Sequence, residues 1–168
     1  MSNLDKNHGV VVGWRVLATL DKIVSIIDDE QDIVCLFKDA LQDALQDMNE
    51  FSVVTFTDPT LALKHFKENE SYYALVLTDY RMPCISGLQL IRQIKDRKPV
   101  VRTILMTAFE IDDKTIQEYT SKQILNGFLQ KPVGIINLRQ EINNQLHASE
   151  IESRKDWFIK VGQIWTVI

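Results

Sequence analysis

Apolar positions along this chain fall into short runs that switch between two periods. Lys22–Ile27 is β-branched and apolar and stops at Asp28-Asp29-Glu30, the pattern of a strand closed by a polar turn. Gln31 to Gln46 carries Ile33, Val34, Phe37, Leu41, Ala44 and Leu45 at helical spacing. Phe51 to Thr57 alternates and predicts a second strand. Asp58-Pro59 opens a helix with a capping carboxylate and proline in the first turn; it carries Leu61, Leu63 and Phe66 and ends near Asn69. Tyr73 to Asp79 is an uninterrupted apolar run ended by a carboxylate, with Tyr80-Arg81-Met82-Pro83 turning at once. Such a run suits a strand buried on both faces. Leu88, Ile91 and Ile94 mark one face of the next helix, and Lys98-Pro99 breaks it. Val101–Thr107 predicts a fourth strand. A weaker helix over Asp113–Ser121 is supported by Ile116 and Tyr119. Gly127–Lys131 is a short fifth strand closed by Pro132, and Ile135, Leu138, Ile142 and Leu146 then repeat through a long last helix.

Five strands alternating with helices imply right-handed βαβ crossovers, hence an α/β three-layer sandwich with a parallel sheet covered on both faces. The regular pattern occupies residues 22–148 of 168. Residues 1–21 form an N-terminal extension, with Val10-Val11-Val12 and Trp14 its apolar points. Residues 149–168, with Trp157, Phe158, Ile164 and Trp165, form a C-terminal apolar extension too short for its own core. No separate output domain is expected there. Hydrophobic content of 45% and charged content of 25% are ordinary for a soluble globular protein. A net charge of -4 with scattered Lys and Arg gives no case for nucleic-acid binding. No run spans a bilayer, and two distant cysteines without zinc spacing fit a reducing, cytoplasmic setting. Cys35 falls within the first helical pattern and is expected in the core; Cys84 follows the central strand and is expected to be exposed.

The residues that close the strands change the picture. In a parallel sheet these ends share one edge, so Asp28, Asp29, Asp79, Thr107 and Lys131 can converge there. Grouped carboxylates can hold a hard divalent cation such as magnesium, and an ammonium and a hydroxyl beside them suit a phosphoryl group. Each also has a bland role. Asp28, Asp29 and Glu30 can cap a helix, Asp79 can serve as nucleophile, metal ligand or helix cap, Thr107 can be an ordinary strand-end threonine, and Lys131 can be solvated.

Asp28-Asp29, Asp79 within Thr78-Asp79-Tyr80-Arg81-Met82-Pro83 with Gly87 after it, Thr107-Ala108 and Lys131-Pro132 together resemble the receiver domain of two-component response regulators, stand-alone type. The resemblance covers about Lys22 to Leu146. It implies a flavodoxin-like sheet of order 2-1-3-4-5. It implies Asp79 as phosphoacceptor, Asp29 and Asp79 as direct magnesium ligands (manganese can substitute), Asp28 acting through water, and the Arg81 carbonyl as a further ligand. Lys131 would pair with phosphoryl oxygens, Thr107 would swing to one of them, and Phe128 would move inward as the switch aromatic, without a tyrosine hydroxyl. The peptide before Pro132 would be cis. Arg81 and Phe109 lie where the family tunes phosphoryl lifetime, and Cys84 departs from the glycine often found after Met-Pro.

The function this implies is a phosphorylation-controlled signalling switch, not an enzyme beyond its own phosphorylation and dephosphorylation. Its partners would be a histidine kinase or phosphotransfer protein and a downstream protein the sequence does not name, with no nucleic acid and no membrane. The apolar tail can cover the output face, pair with the segment around Trp14, or support a homodimer. Two rivals are a phosphorylation-independent binding module and an aspartyl phosphohydrolase; the latter needs a second Asp where Arg81 stands.

Overall fold

The structure, a computed structural model, describes residues 22–45 and 50–165, with side chains to Ile151 apart from those of residues 44 and 113. Expectations for residues 1–21 and for the end of the tail lie outside the described residues. The elements follow in the predicted order: β1 Lys22–Ile27, α1 Gln31–Leu45, β2 Phe51–Phe56, α2 Pro59–Asn69, β3 Tyr73–Asp79, α3 Gly87–Arg97, β4 Arg102–Thr107, α4 Asp113–Ser121, β5 Gly127–Gln130 and α5 Ile135–Trp165. The strands form one parallel sheet of order β2-β1-β3-β4-β5. The described chain is therefore the expected flavodoxin-like three-layer sandwich. The last helix continues past Ser149 as far as Trp165.

Alternation along each strand decides what lies on each face. Val24 and Ile26 of β1, Leu75 and Leu77 of β3, and Ile104 and Met106 of β4 pack against Phe37, Leu41 and Leu45 of α1 and Leu138, Ile142 and Leu146 of α5. On the opposite face Ile23, Ile27 and Val76 meet Ala62, Leu63 and Phe66 of α2 and Leu90 and Ile94 of α3. Leu105 with Ile91, Leu125, Tyr119 and Phe128 completes that face beside α4. Burying a side chain of this kind stabilises by roughly 1.5–3 kcal/mol. All seven β3 residues are buried, as expected for the central strand.

Local signals place the helix starts. Asp58 Oδ1 accepts from the Thr60 amide at 2.7 Å with Pro59 in the first turn. Ser86 and Gln89 form a reciprocal capping box at α3, and Asp112 caps α4. Two apolar assignments are corrected. Cys35 is exposed, because the buried stripe of α1 runs through Val34, Phe37, Ala40, Leu41 and Leu45. One position is about 100° of helix, so Cys35 turns outward beside Val34. Leu61 is likewise 57% exposed, next to buried Ala62 and Leu63. Cys84 is exposed as expected, and its backbone is left-handed at φ 69. Glycine adopts that region without the penalty a Cβ brings. Among the described residues no helix is long and apolar enough to cross a membrane.

Candidate phosphoacceptor site

Strand register brings the polar ends level. Ile27 pairs with Thr78, so Asp28 and Asp79, each one residue on, emerge side by side. Asp79 pairs with Met106, placing Thr107 one step beyond. Thr107 pairs with Gln130, and Lys131 follows. The Lys131 amide then donates to the Thr107 carbonyl at 2.7 Å and the Tyr80 amide to the Met106 carbonyl at 2.8 Å, fixing both turns. The Lys131-Pro132 peptide is cis.

The Lys131 ammonium stands at the centre. Its Nζ lies 2.7 Å from Asp28 Oδ2 and 2.7 Å from Asp79 Oδ1, with Glu30 Oε1 at 4.0 Å. The Asp28 side chain is fully buried, and those of Asp79 and Lys131 are 9% and 13% exposed. The remaining carboxylate oxygens take backbone donors: Asp28 Oδ1 accepts from the Glu30 amide at 3.1 Å and Asp79 Oδ2 from the Arg81 amide at 2.7 Å. Burial pushes the Asp28 carboxyl above its ordinary value of 3.8, outweighing its hydrogen bond from Lys131. Burial pulls the Lys131 ammonium down, but its bonds to Asp28 and Asp79 more than compensate and hold it above its usual range. Lys131 is therefore charged and committed to both carboxylates. Glu30, read from the sequence only as a cap, adds a third carboxylate at the rim.

Thr107 is buried, and its Oγ1 accepts from the Phe109 amide at 3.0 Å. The Arg81 guanidinium lies over the Phe109 ring, its Cζ 3.7 Å from the centroid. Nothing in the sequence pattern signals this stack, since the two residues lie in separate loops. Phe128 is half-buried and lines a pocket of about 550 Å³ with Ile111, Ile116 and Gln130, with Glu110 and Asp112 at its edge. A second, apolar groove of about 380 Å³ opens beside Lys131, lined by Ile33, Leu36, Phe37, Ala108, Pro132 and Val133.

Gly87 belongs to the site for a steric reason. A Cβ there would fall 2.1 Å from the Asp79 carbonyl oxygen and 3.0 Å from its carbon. The Gly87 amide also donates to the Tyr80 carbonyl at 2.9 Å. The start of α3 thus sits directly on the end of β3, which only a residue without a side chain permits.

Asp29 is exposed beside Asp28. Among the described residues no three metal-ligating side chains stand together as a ready-made cluster. The acidic side chains at this edge nevertheless offer oxygen alone: neighbouring Asp28 and Asp79, with exposed Asp29 next to Asp28. This chemistry fits magnesium, which prefers oxygen and keeps several waters.

Known proteins show what the chain is similar to. The response regulator receiver domain model matches residues 24–143. The chain is 29% identical over 138 residues to the cyclic di-GMP phosphodiesterase response regulator RpfG of Xanthomonas campestris, covering 82% of this chain and 35% of that protein. It is 31% identical over 130 residues to the response regulator protein PilR of Pseudomonas aeruginosa, covering 77% of this chain and 27% of PilR. The chain thus spans about a third or less of either relative. A receiver domain structure from Clostridium thermocellum superposes with a TM-score of 0.66 at 28% identity, covering 77% of this chain and 98% of that one.

Proposed function

Because the chain belongs to the response regulator receiver domain family, we propose that it acts as a phosphorylation-controlled switch with Asp79 as phosphoacceptor. The observation that carries this reading is the Lys131 ammonium set 2.7 Å from both Asp28 and Asp79 on the shared edge of the sheet. A structural ion pair needs one carboxylate. Two carboxylates with one ammonium, and a buried hydroxyl on the next strand, supply a nucleophile, a cation and a hydrogen-bond donor for a phosphoryl group, and the excess negative charge is what a divalent cation would offset.

In the proposed step an Asp79 carboxylate oxygen attacks the phosphorus of a phosphohistidine on a kinase or phosphotransfer partner. The P–O bond forms as the P–N bond breaks, and the imidazole leaves with the electron pair and takes up a proton. Lys131 exchanges its hold on the Asp79 carboxylate for the phosphoryl oxygens, and the Thr107 hydroxyl donates to one of them. Asp29 and Asp79, with the Arg81 carbonyl and with Asp28 through water, would hold magnesium, which supplies positive charge between the carboxylates and the phosphoryl oxygens. Manganese, also content with oxygen ligands, would serve in its place.

The apolar groove beside Lys131 supports a protein donor. Its lining includes Leu36 at 47% exposure, so a docked partner covers greasy surface while presenting its histidine to Asp79. On the output side, Phe128 moves into its pocket as Thr107 turns, altering the surface of α4, β5 and α5 for a downstream protein. Turnover of separate substrates is not part of this reading, since Arg81 stands where a hydrolase of this chemistry needs a carboxylic acid. Free Cys35 and Cys84 suit a reducing, cytoplasmic setting.

The test is incubation with magnesium and a small acyl phosphate, followed by intact-mass measurement. One added phosphoryl mass that Asp79→Asn abolishes is the expected result. Absence of any adduct would leave a phosphorylation-independent binding module, and turnover of unrelated phosphate esters would point to a hydrolase.

A further inference from the structure

We propose that the Arg81–Phe109 stack is a latch that holds the Thr107 hydroxyl away from Asp79, so that opening the stack governs passage into the phosphorylated form. The inference rests on the reading of Asp79 as phosphoacceptor, but its physical basis lies in the resting molecule. Four contacts form a continuous path. The Arg81 amide donates to Asp79 Oδ2 at 2.7 Å. The Arg81 guanidinium lies 3.7 Å over the Phe109 ring. The Phe109 amide donates to Thr107 Oγ1 at 3.0 Å, and the same hydroxyl lies 3.5 Å from the Phe109 carbonyl. The loop after β3 is thereby tied to the loop after β4 across the mouth of the site.

Thr107 cannot serve both partners. Its hydroxyl has one hydrogen, which faces the Phe109 carbonyl at 3.5 Å, so donating to a phosphoryl oxygen on Asp79 redirects that hydrogen and turns the hydroxyl from the Phe109 backbone, weakening the bond it accepts from the Phe109 amide. Phe109 resists because its ring, 45% exposed, has its cover from Arg81. The stack is also the closest cation–ring contact among the described residues: Arg92 over Tyr119 stands at 5.0 Å and Lys22 over Phe51 at 5.3 Å. Attraction of a cation to a ring face weakens with distance and is effective within about 6 Å.

Phosphorylation attacks the path at both ends. The new anion competes with the ring for the Arg81 guanidinium, and it offers the Thr107 hydroxyl a charged acceptor in place of a backbone contact. Arg81 and Phe109 are thus positioning residues for Thr107. Their pairing favours the resting state, by a factor of about two to five for an exposed cation–ring contact.

Amide hydrogen exchange by NMR on the unphosphorylated, metal-free chain reads the latch directly. With intrinsic rates corrected, Arg81→Gln and Phe109→Leu should each speed exchange at the residue-109 amide about two- to fivefold, and the double variant no further. Apparent affinity for beryllofluoride with magnesium, in the same four proteins, should show the same coupling; the cycle removes the effect of Arg81 charge alone. Unchanged exchange, or accelerations that multiply in the double variant, would overturn the latch even where all four proteins take up beryllofluoride. Coupled exchange with no uptake by any of them would overturn the phosphoacceptor reading and the regulatory role with it.

Discussion

Replacing Lys131 by methionine removes the positive charge that bonds two carboxylates nearly withdrawn from water. The ammonium bonds each at 2.7 Å, with Asp28 fully buried and Asp79 9% exposed. Removing one partner of a buried ion pair generally costs about 3–5 kcal/mol. A ceiling comes from proton uptake, since a carboxylate denied its partner can become neutral. For Asp28, with an ordinary value of 3.8, protonation at pH 7 costs about 4.4 kcal/mol, and at pH 5 about 1.6 kcal/mol. Lys131→Met should therefore destabilise by roughly 3–4 kcal/mol at pH 7 and by roughly 1–2 kcal/mol at pH 5. The sign follows from linkage: the folded variant binds more protons than its unfolded chain above pH 3.8, so its stability falls as pH rises. Urea unfolding followed by circular dichroism at both pH values, with a chelator present, measures this. A loss under about 1 kcal/mol at pH 7, or one equal at the two pH values, would show that the ammonium does not neutralise the pair.

Other substitutions separate the remaining contributions. Asp28→Asn keeps an acceptor for Lys131 but removes a buried charge, so without metal it should gain about 1 kcal/mol or more at pH 7. Because burial raises the Asp28 carboxyl, that gain should fade as pH falls through its raised value toward 3.8, and a variant less stable than the parent at pH 7 would contradict it. Gly87→Ala sets a methyl 2.1 Å from a backbone oxygen that cannot move freely, and thermal unfolding should show a loss above about 4 kcal/mol. Ser25 Oγ is buried without a hydrogen-bond partner, so Ser25→Ala should raise stability by about 1 kcal/mol in the same assay. Phe109→Ala opens the mouth of the site to water and should shorten the lifetime of phosphorylated Asp79 severalfold by timed intact-mass measurement; unchanged decay would assign the ring no screening role.

The fold was legible because a parallel sheet buried on both faces writes its strands as apolar runs and places every polar stop on one edge. Asp28, Asp79, Thr107 and Lys131 were readable for that reason: each follows the last apolar residue of its strand. What failed was finer than the period. Cys35 and Leu61 each lie one position from a buried stripe, and the count of apolar residues does not say which edge of the stripe turns outward. Gly87 was visible as a glycine after the turn, but its contact with the Asp79 carbonyl depends on how closely α3 docks on β3. The Arg81–Phe109 stack joins two irregular loops 28 positions apart, where no periodicity operates.

Lys131 shows why side-chain commitment, and not residue type, defines the resting state. Its position at a strand end suggests a cation waiting for a phosphoryl group, yet its ammonium already bonds Asp28 and Asp79. With these three groups charged, the centre carries one net negative charge. Converting Asp79 to an acyl phosphate would remove one carboxylate charge and bring roughly two phosphoryl charges, so the centre would become more negative by about one while Lys131 is drawn toward the new group. Asp28, whose carboxyl burial already disfavours in its charged form, then loses part of its compensation. Under the proposed function the phosphorylated chain would be electrostatically poorer by its own residues alone, and this charge balance is the physical reason the proposal includes a divalent cation on the neighbouring oxygens.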